Sequence, residues 1–193
     1  MPKDLYTLPS DLPVPVDDGA CAHLTGMTMP AIKLLSTTGE HVDLAQLPGT
    51  VVVYIYPMTG RPDSAPMIGW NDIPGARGCT PQSCAFRDHY QQLQALDANV
   101  VGLSTQTLAD QQEAHERLHL PYALLSDAGL ELAGALNLPT FTYEGKTLIK
   151  RLTLIIDEGR ISHVFYPVFP PDANATTVLD WLRDRQQHIK GEK

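Results

Sequence analysis

Two cysteines stand five residues apart in the run Gly78-Cys79-Thr80-Pro81-Gln82-Ser83-Cys84-Ala85-Phe86-Arg87-Asp88. They lie where a loop rich in glycine and proline gives way to a helical pattern. Pro81 suits the first helical position, with Thr80 as the cap. Cys79 then sits beside unpaired backbone N–H groups at the positive end of a helix dipole. Such a setting favours a thiolate, the reactive form of a cysteine, and Arg77 two residues upstream pushes the same way. The chemistry this points to is redox chemistry at Cys79, with Cys84 close behind.

Two other readings of the pair stand beside it. Free cysteines serve most often as small buried hydrophobes. A zinc site is the second alternative, since Cys84-x4-His89 continues the pattern and Cys21-x-His23 lies upstream. Neither pair has the flanking glycines of a zinc knuckle. Cys21 itself has no partner at an obvious spacing and reads as an inert thiol, with a role as alternative resolving cysteine left open. His115 and His119 read as a solvated pair on one helix face, and Trp70 as a packing anchor in preference to a lid over the thiol.

The elements that must position these residues follow from periodicity. Val51 to Tyr56 is a continuous β-branched and aromatic run, which predicts a central strand buried on both faces and ended by Pro57. Residues 57–78 show little periodicity and predict a long loop, of the kind that is often functional. A helix is expected from Pro81 to Leu96, with Phe86, Tyr90 and Leu93 on its buried stripe. Asn99 to Ser104 predicts a second buried strand, Leu108 to Leu118 a helix, Tyr122 to Leu125 a short strand and Leu130 to Leu136 a helix.

Near the chain's start, Ala31 to Ser36 and Glu40 to Leu44 flank Thr38-Gly39 as a hairpin. Arg151 to Asp157 and Arg160 to Tyr166 pair across Glu158-Gly159, and Ala175 to Gln187 closes the pattern as a helix. Strands alternating with helices, then a hairpin, indicate an α/β sandwich with a central mixed β-sheet flanked by helices. Residues 1–30, rich in proline and aspartate, read as an extended lead-in to a single domain at 31–193.

Composition narrows the function classes. A chain of 193 residues with 43% hydrophobic content can bury one substantial core. The net charge of −8 argues against a nucleic-acid or anionic-membrane partner. No apolar run approaches a membrane span, and Met1 to Tyr6 shows no signal-peptide core. Three cysteines are too few for a disulfide-stapled secreted fold. A cytoplasmic location is expected.

Taken together and in order, several segments resemble a peroxiredoxin of the thioredoxin-like superfamily, of the Q-type (bacterioferritin-comigratory) subfamily. They are Gly78-Cys79-Thr80 through Asp88, Tyr54-Ile55-Tyr56-Pro57, Gly102-Leu103-Ser104, Leu120-Pro121-Tyr122 with Leu124 to Asp127, and Arg151 to Asp157. The resemblance runs from about Leu24 to the C-terminal helix. It implies a thioredoxin-like fold and a thiol peroxidase for hydrogen peroxide and organic hydroperoxides. It further implies Cys79 as the peroxidatic nucleophile that becomes a sulfenic acid, Cys84 as the resolving cysteine that forms an intramolecular disulfide, and Arg151 as the cation beside the thiolate.

Gln82 stands where the subfamily usually has glutamate, and could orient Arg151. Recycling by thioredoxin or a similar dithiol protein is implied, as is a monomer or homodimer without metal or organic cofactor. The chain departs from the family pattern at one point. The family's Pro-x3-Thr-x2-Cys places Asp72 and Ala76 where proline and threonine belong. Pro57 and Thr59, about twenty residues upstream, are the candidates to fold back and supply the proline and the hydroxyl. Two alternative functions stay open at this level: a thiol–disulfide oxidoreductase, and a non-catalytic redox-sensing or zinc-binding module of the same fold.

Overall fold

A computed structural model describes residues 4–191; the first three residues of the amino-terminal stretch read above lie outside the described residues. The chain forms β1 (Lys33–Ser36), β2 (His41–Asp43), β3 (Thr50–Ile55), α1 (Cys79–Asp88), α2 (Tyr90–Gln94), β4 (Ala98–Ser104) and α3 (Leu108–Arg117). It continues with β5 (Leu124–Ser126), α4 (Glu131–Ala135), β6 (Thr140–Tyr143), β7 (Lys146–Ile149), β8 (Leu152–Asp157), β9 (Arg160–Phe165) and α5 (Asn174–Gly191). Seven strands make one mixed sheet in the order β2-β1-β5-β4-β3-β8-β9, and β6 pairs with β7 apart from it. The α/β sandwich expected from the alternation of patterns is the architecture found.

β3 is an interior strand next to the central β4, parallel to β4 and antiparallel to β8. Successive strand residues face opposite sides. Val51, Val53 and Ile55 therefore enter one core, with Leu24, Leu103, Leu132 and Leu154. Val52, Tyr54 and Tyr56 enter the other, with Cys79, Phe86, Leu93 and Val178. Burial on both faces is why the strand is apolar or aromatic from Val51 to Ile55. Helices α1, α2, α3 and α5 cover the second face, and α4 covers the first.

A close approach crosses the centre of the sheet. A Cβ on Gly102 would lie 2.5 Å from Leu124 Cδ2 and 2.7 Å from Tyr54 Cζ, so the Tyr54 ring needs a glycine on β4 beside it. That ring stacks on Phe86 with 4.5 Å between centroids. Its hydroxyl donates to Ser83 Oγ, while Tyr122 donates to the Ser83 carbonyl at 2.7 Å. Two tyrosines from the sheet side thus hold the middle of α1.

Several expectations are corrected. The single helix foreseen over 81–96 is two, broken at His89, whose backbone N–H and ring Nδ1 both address the Ala85 carbonyl. Helix α1 begins at Cys79 rather than after Thr80, because Gly78 takes φ +112° and turns the chain into the helix two residues sooner. Pro81 is tolerated as the third helical residue, where an N–H has no intrahelical partner to lose. His119 has φ +52° beyond the end of α3 and shares no helix face with His115. The β6–β7 hairpin was not foreseen, although Thr140 to Ile149 alternates around Glu144-Gly145. Both turn residues have positive φ, as a two-residue hairpin turn of this hand requires.

The amino-terminal stretch lies against the domain. Residues 19–26 are in turns, Leu24 is fully buried, and Thr28 bridges to Arg160.

Candidate active site

Cys79 is the first residue of α1 and is only 3% exposed. Gly78 makes that position possible twice over. Its backbone is left-handed, and an added Cβ would sit 2.7 Å from Pro171 Cγ. The Cys79 sulfur lies 3.7 Å from the Ala76 carbonyl and 3.2 Å from Arg151 Nη2, which donates to it.

Arg151, between β7 and β8, is buried and spends the rest of its guanidinium on the loop before the helix. Nη2 also donates to the carbonyls of Ala76 at 2.9 Å and Arg77 at 3.3 Å, and Nε donates to Gly75 at 3.2 Å. The Arg77 carbonyl precedes the cap Gly78, outside the helix ladder, and is left for the guanidinium. Nη1 donates to Gln82 Oε1. None of these oxygens is charged, and a buried cation without a carboxylate is costly unless another anion completes it. The sulfur of Cys79 is the group placed to do so.

Gln82 is fully buried, and its Nε2 donates to Asn174 Oδ1 at 2.9 Å; the same oxygen accepts from Thr153 at 2.8 Å. The chain Thr153–Asn174–Gln82–Arg151 fixes the amide so that its oxygen faces the guanidinium. Sequence reasoning missed Thr153 and Asn174. Asn174 carried a signal, since asparagine ahead of an apolar-periodic run marks a helix cap. Here its side chain serves Gln82 instead.

Cys84 lies on α1 five residues on, half-buried, and no disulfide joins it to Cys79. Burial raises its pKa, with the Arg87 cation acting in the opposite sense. Cys21 packs on the opposite face of the sheet from Cys79. Burial and the carboxylates of Asp18 and Asp17 push its pKa to about 12, which leaves it a thiol at neutral pH. His23 Nε2 lies against the Leu136 carbonyl. Among the described residues no three His, Cys, Asp or Glu side chains cluster as a metal site would require.

The inserted loop folds back, yet not as expected. Met58 and Gly60 line the same cavity as Cys79, but the Thr59 hydroxyl donates to Gln106 Oε1 at 3.1 Å and Thr59 does not line that cavity. Pro57 instead borders a neighbouring cavity of about 360 Å³ that Arg151 also lines. Thr80, buried and next to the nucleophile candidate, is the threonine among the residues that line the Cys79 cavity. Trp70 is the anchor foreseen, its ring edge-on to Tyr143 at 4.9 Å.

A family model described as Redoxin matches residues 24–179, most of the chain. Peroxiredoxin Bcp of Escherichia coli (strain K12) is 30% identical to it over 82% of this chain and 95% of its own. The chloroplastic peroxiredoxin Q of Gentiana triflora is 29% identical over 94% of this chain and 79% of its own. This chain belongs to the redoxin family as a Q-type peroxiredoxin. A solved structure similar to this peroxiredoxin is the peroxidoxin BcpB from Mycobacterium tuberculosis, with a TM-score of 0.66, 30% identity, and 84% of this chain and 98% of that one covered. The thioredoxin-like fold and an enzyme of the thiol peroxidase class are thereby established, over the oxidoreductase and zinc-module alternatives. No helix of the peroxiredoxin's described residues is long and apolar enough to cross a membrane.

Proposed function

We propose that Cys79 is the peroxidatic nucleophile and Cys84 the resolving thiol. The observation that carries this is Arg151 Nη2, 3.2 Å from the Cys79 sulfur at the first turn of α1. The Cys79 thiolate attacks the distal oxygen of a hydroperoxide, forming an S–O bond as the O–O bond breaks. The departing alkoxide or hydroxide takes a proton and leaves as alcohol or water, and Cys79 becomes a sulfenic acid. Cys84 sulfur then attacks the Cys79 sulfur, forming an S–S bond and releasing water. Thioredoxin or a similar dithiol protein returns both thiols by exchange. The reading places the enzyme in the cytoplasm, as a monomer or homodimer with its site built within one chain.

Arg151 and the α1 N-terminus face the charge that develops on the leaving oxygen. With Ala76 lacking a hydroxyl and that of Thr59 engaged by Gln106, Thr80 takes the part of hydrogen-bond donor to the peroxide. Thr80→Val keeps the shape of the side chain, and its oxidation by hydrogen peroxide should slow on the order of tenfold or more. A rate equal to the parent's in stopped-flow mixing would remove Thr80 from the mechanism.

Disulfide formation tests the two-cysteine reading. Residues 79–84 lie on one regular helix, so their Cα atoms are roughly 8–9 Å apart with side chains about 140° apart around the axis. A disulfide needs Cα atoms within about 7 Å. The start of α1 must therefore unwind, releasing the bonds of Tyr54 and Tyr122 to Ser83. Hydrogen exchange of the peroxide-treated protein is expected to show lost protection at 79–86 with β3 and β4 unchanged. Mass spectrometry that finds Cys79 bonded to a cysteine other than Cys84 would refute the assignment. A Cys79–Cys84 bond with protection intact would refute the unwinding.

A further inference from the structure

The cavity beside the Cys79 sulfur is very small. About 10 Å³ is left between Leu5, Met58, Met67, Trp70 and Thr80, close to the least that holds one water. Hydrogen peroxide is only one oxygen larger than water, whereas the organic group of a bulky hydroperoxide must extend out of this partly open space, past the segments that wall it. Two segments close this space, and they are held very differently.

One is the inserted loop. Its Trp70 is 2% exposed and packs on Tyr143, whose hydroxyl donates to the Ile68 carbonyl at 3.0 Å. That side is fixed to the β6–β7 hairpin. The other is the strap of residues 4–8. Asp4, Tyr6 and Thr7 are exposed, and the Asp4 carboxylate merely gathers the Tyr6 and Thr7 N–H groups into a turn. What fastens the strap is the side chain of Leu5, 4% exposed, against Gly60, and that of Leu8 against Gly78. Arg77 Nη2 completes the fastening by donating to the Asp4 and Thr7 carbonyls. The clasp is incomplete, because Arg77 Nε is buried without an acceptor. Two leucine contacts and the two Arg77 hydrogen bonds join the strap to the site, Tyr6 adds an interaction with Arg117 at the end of α3, and none of these belongs to the sheet, so the strap can lift while the core stays intact.

We infer that residues 4–8 are a gate that sets peroxide selectivity, with Leu5 as its plug and Arg77 as its clasp. Closed, the site admits hydrogen peroxide; a hydroperoxide with a bulky organic group reaches the sulfur only when the strap lifts. This rests on Cys79 being the nucleophile. Gly60 and Gly78 form the seat, since a Cβ at either would lie about 3.0 Å or less from a strap leucine, at 3.0 Å from Leu5 and 2.9 Å from Leu8.

The test compares rate constants for sulfenic acid formation with hydrogen peroxide and with cumene hydroperoxide, in a Cys84→Ser background so that a single oxidation of Cys79 is read. Leu5→Ala and Leu8→Ala are each expected to raise the cumene-to-hydrogen-peroxide ratio about tenfold or more, with the hydrogen peroxide rate within about a factor of two of the parent, as opening an apolar constriction discriminates by size. Both substitutions fall on the strap or its clasp, so circular dichroism should match the parent. A ratio unchanged in both variants overturns the gate, as does a parent that already oxidises equally fast with both peroxides. If hydrogen peroxide yields no sulfenic acid on Cys79 in the parent, the nucleophile assignment falls and the gate with it.

Discussion

Replacing Cys79 by serine is expected to abolish peroxide consumption, while Cys84→Ser still permits one round of oxidation. The difference follows from where the two sulfurs lie on one helix. Cys79 opens α1, in reach of its unpaired N–H groups and of Arg151. Cys84 is in the body of the helix, with burial holding it toward the thiol. A serine hydroxyl at 79 cannot act as the sulfur does, because it is not ionised near neutral pH and its oxygen is not oxidised to an analogue of sulfenic acid. With Cys84→Ser, the sulfenic acid forms and persists, and a sulfenic-acid trap should capture it at Cys79. Peroxide consumption followed over many turnovers, with mass spectrometry after one equivalent, reads both outcomes. A dead Cys84→Ser alongside a working Cys79→Ser would reverse the assignment.

Arg151→Ala should lower the rate constant for oxidation by hydrogen peroxide on the order of a hundredfold or more, the usual cost of removing one donor from a charge-stabilising site. The guanidinium does two things at once. It donates to the sulfur, and it ties the carbonyls of Gly75, Ala76 and Arg77 into the loop that delivers Cys79. Alanine leaves those carbonyls, that of Ala76 buried, without the guanidinium, so the variant should also unfold at a lower temperature. Lysine separates the two roles. It keeps the charge but lacks the planar fork that addresses several acceptors together, so Arg151→Lys should recover only part of the rate. A variant that remains folded and reacts as fast as the parent would reduce Arg151 to a structural tie.

Much of this site was legible along the chain. The unbroken apolar run at Val51 to Tyr56 could only be a strand covered on both faces, and it is β3. Glycine and proline around Cys79 marked a loop entering a helix, and α1 starts there. Glu158-Gly159 made the turn foreseen, both residues at positive φ. These features rest on backbone dihedral preferences and side-chain periodicity, which a few consecutive residues are enough to express. The same locality explains the boundary errors. Nothing in Pro81 itself says whether it is the first or the third residue of a helix, and Gly78 settled that through a contact with Pro171, far along the chain.

What only the tertiary structure decided is how distant residues share one small volume. Arg151 meets Cys79 across 72 positions, and Gln82 is oriented by Asn174, 92 positions away. Resemblance pointed to Arg151, but nothing in its own neighbourhood distinguishes it from an exposed cation at a strand end. Thr59 shows the converse. Its type and its place after the strand suited a hydroxyl beside the sulfur, and Gln106 took that hydroxyl instead. A lead-in rich in proline and aspartate gave no sign that Leu5 would line the cavity beside Cys79. Local sequence specifies which conformations a segment can adopt; which buried acceptor a guanidinium or a hydroxyl finally meets depends on the packing of the whole sheet and its loops, because each buried polar group must find its partner among whatever that packing brings near.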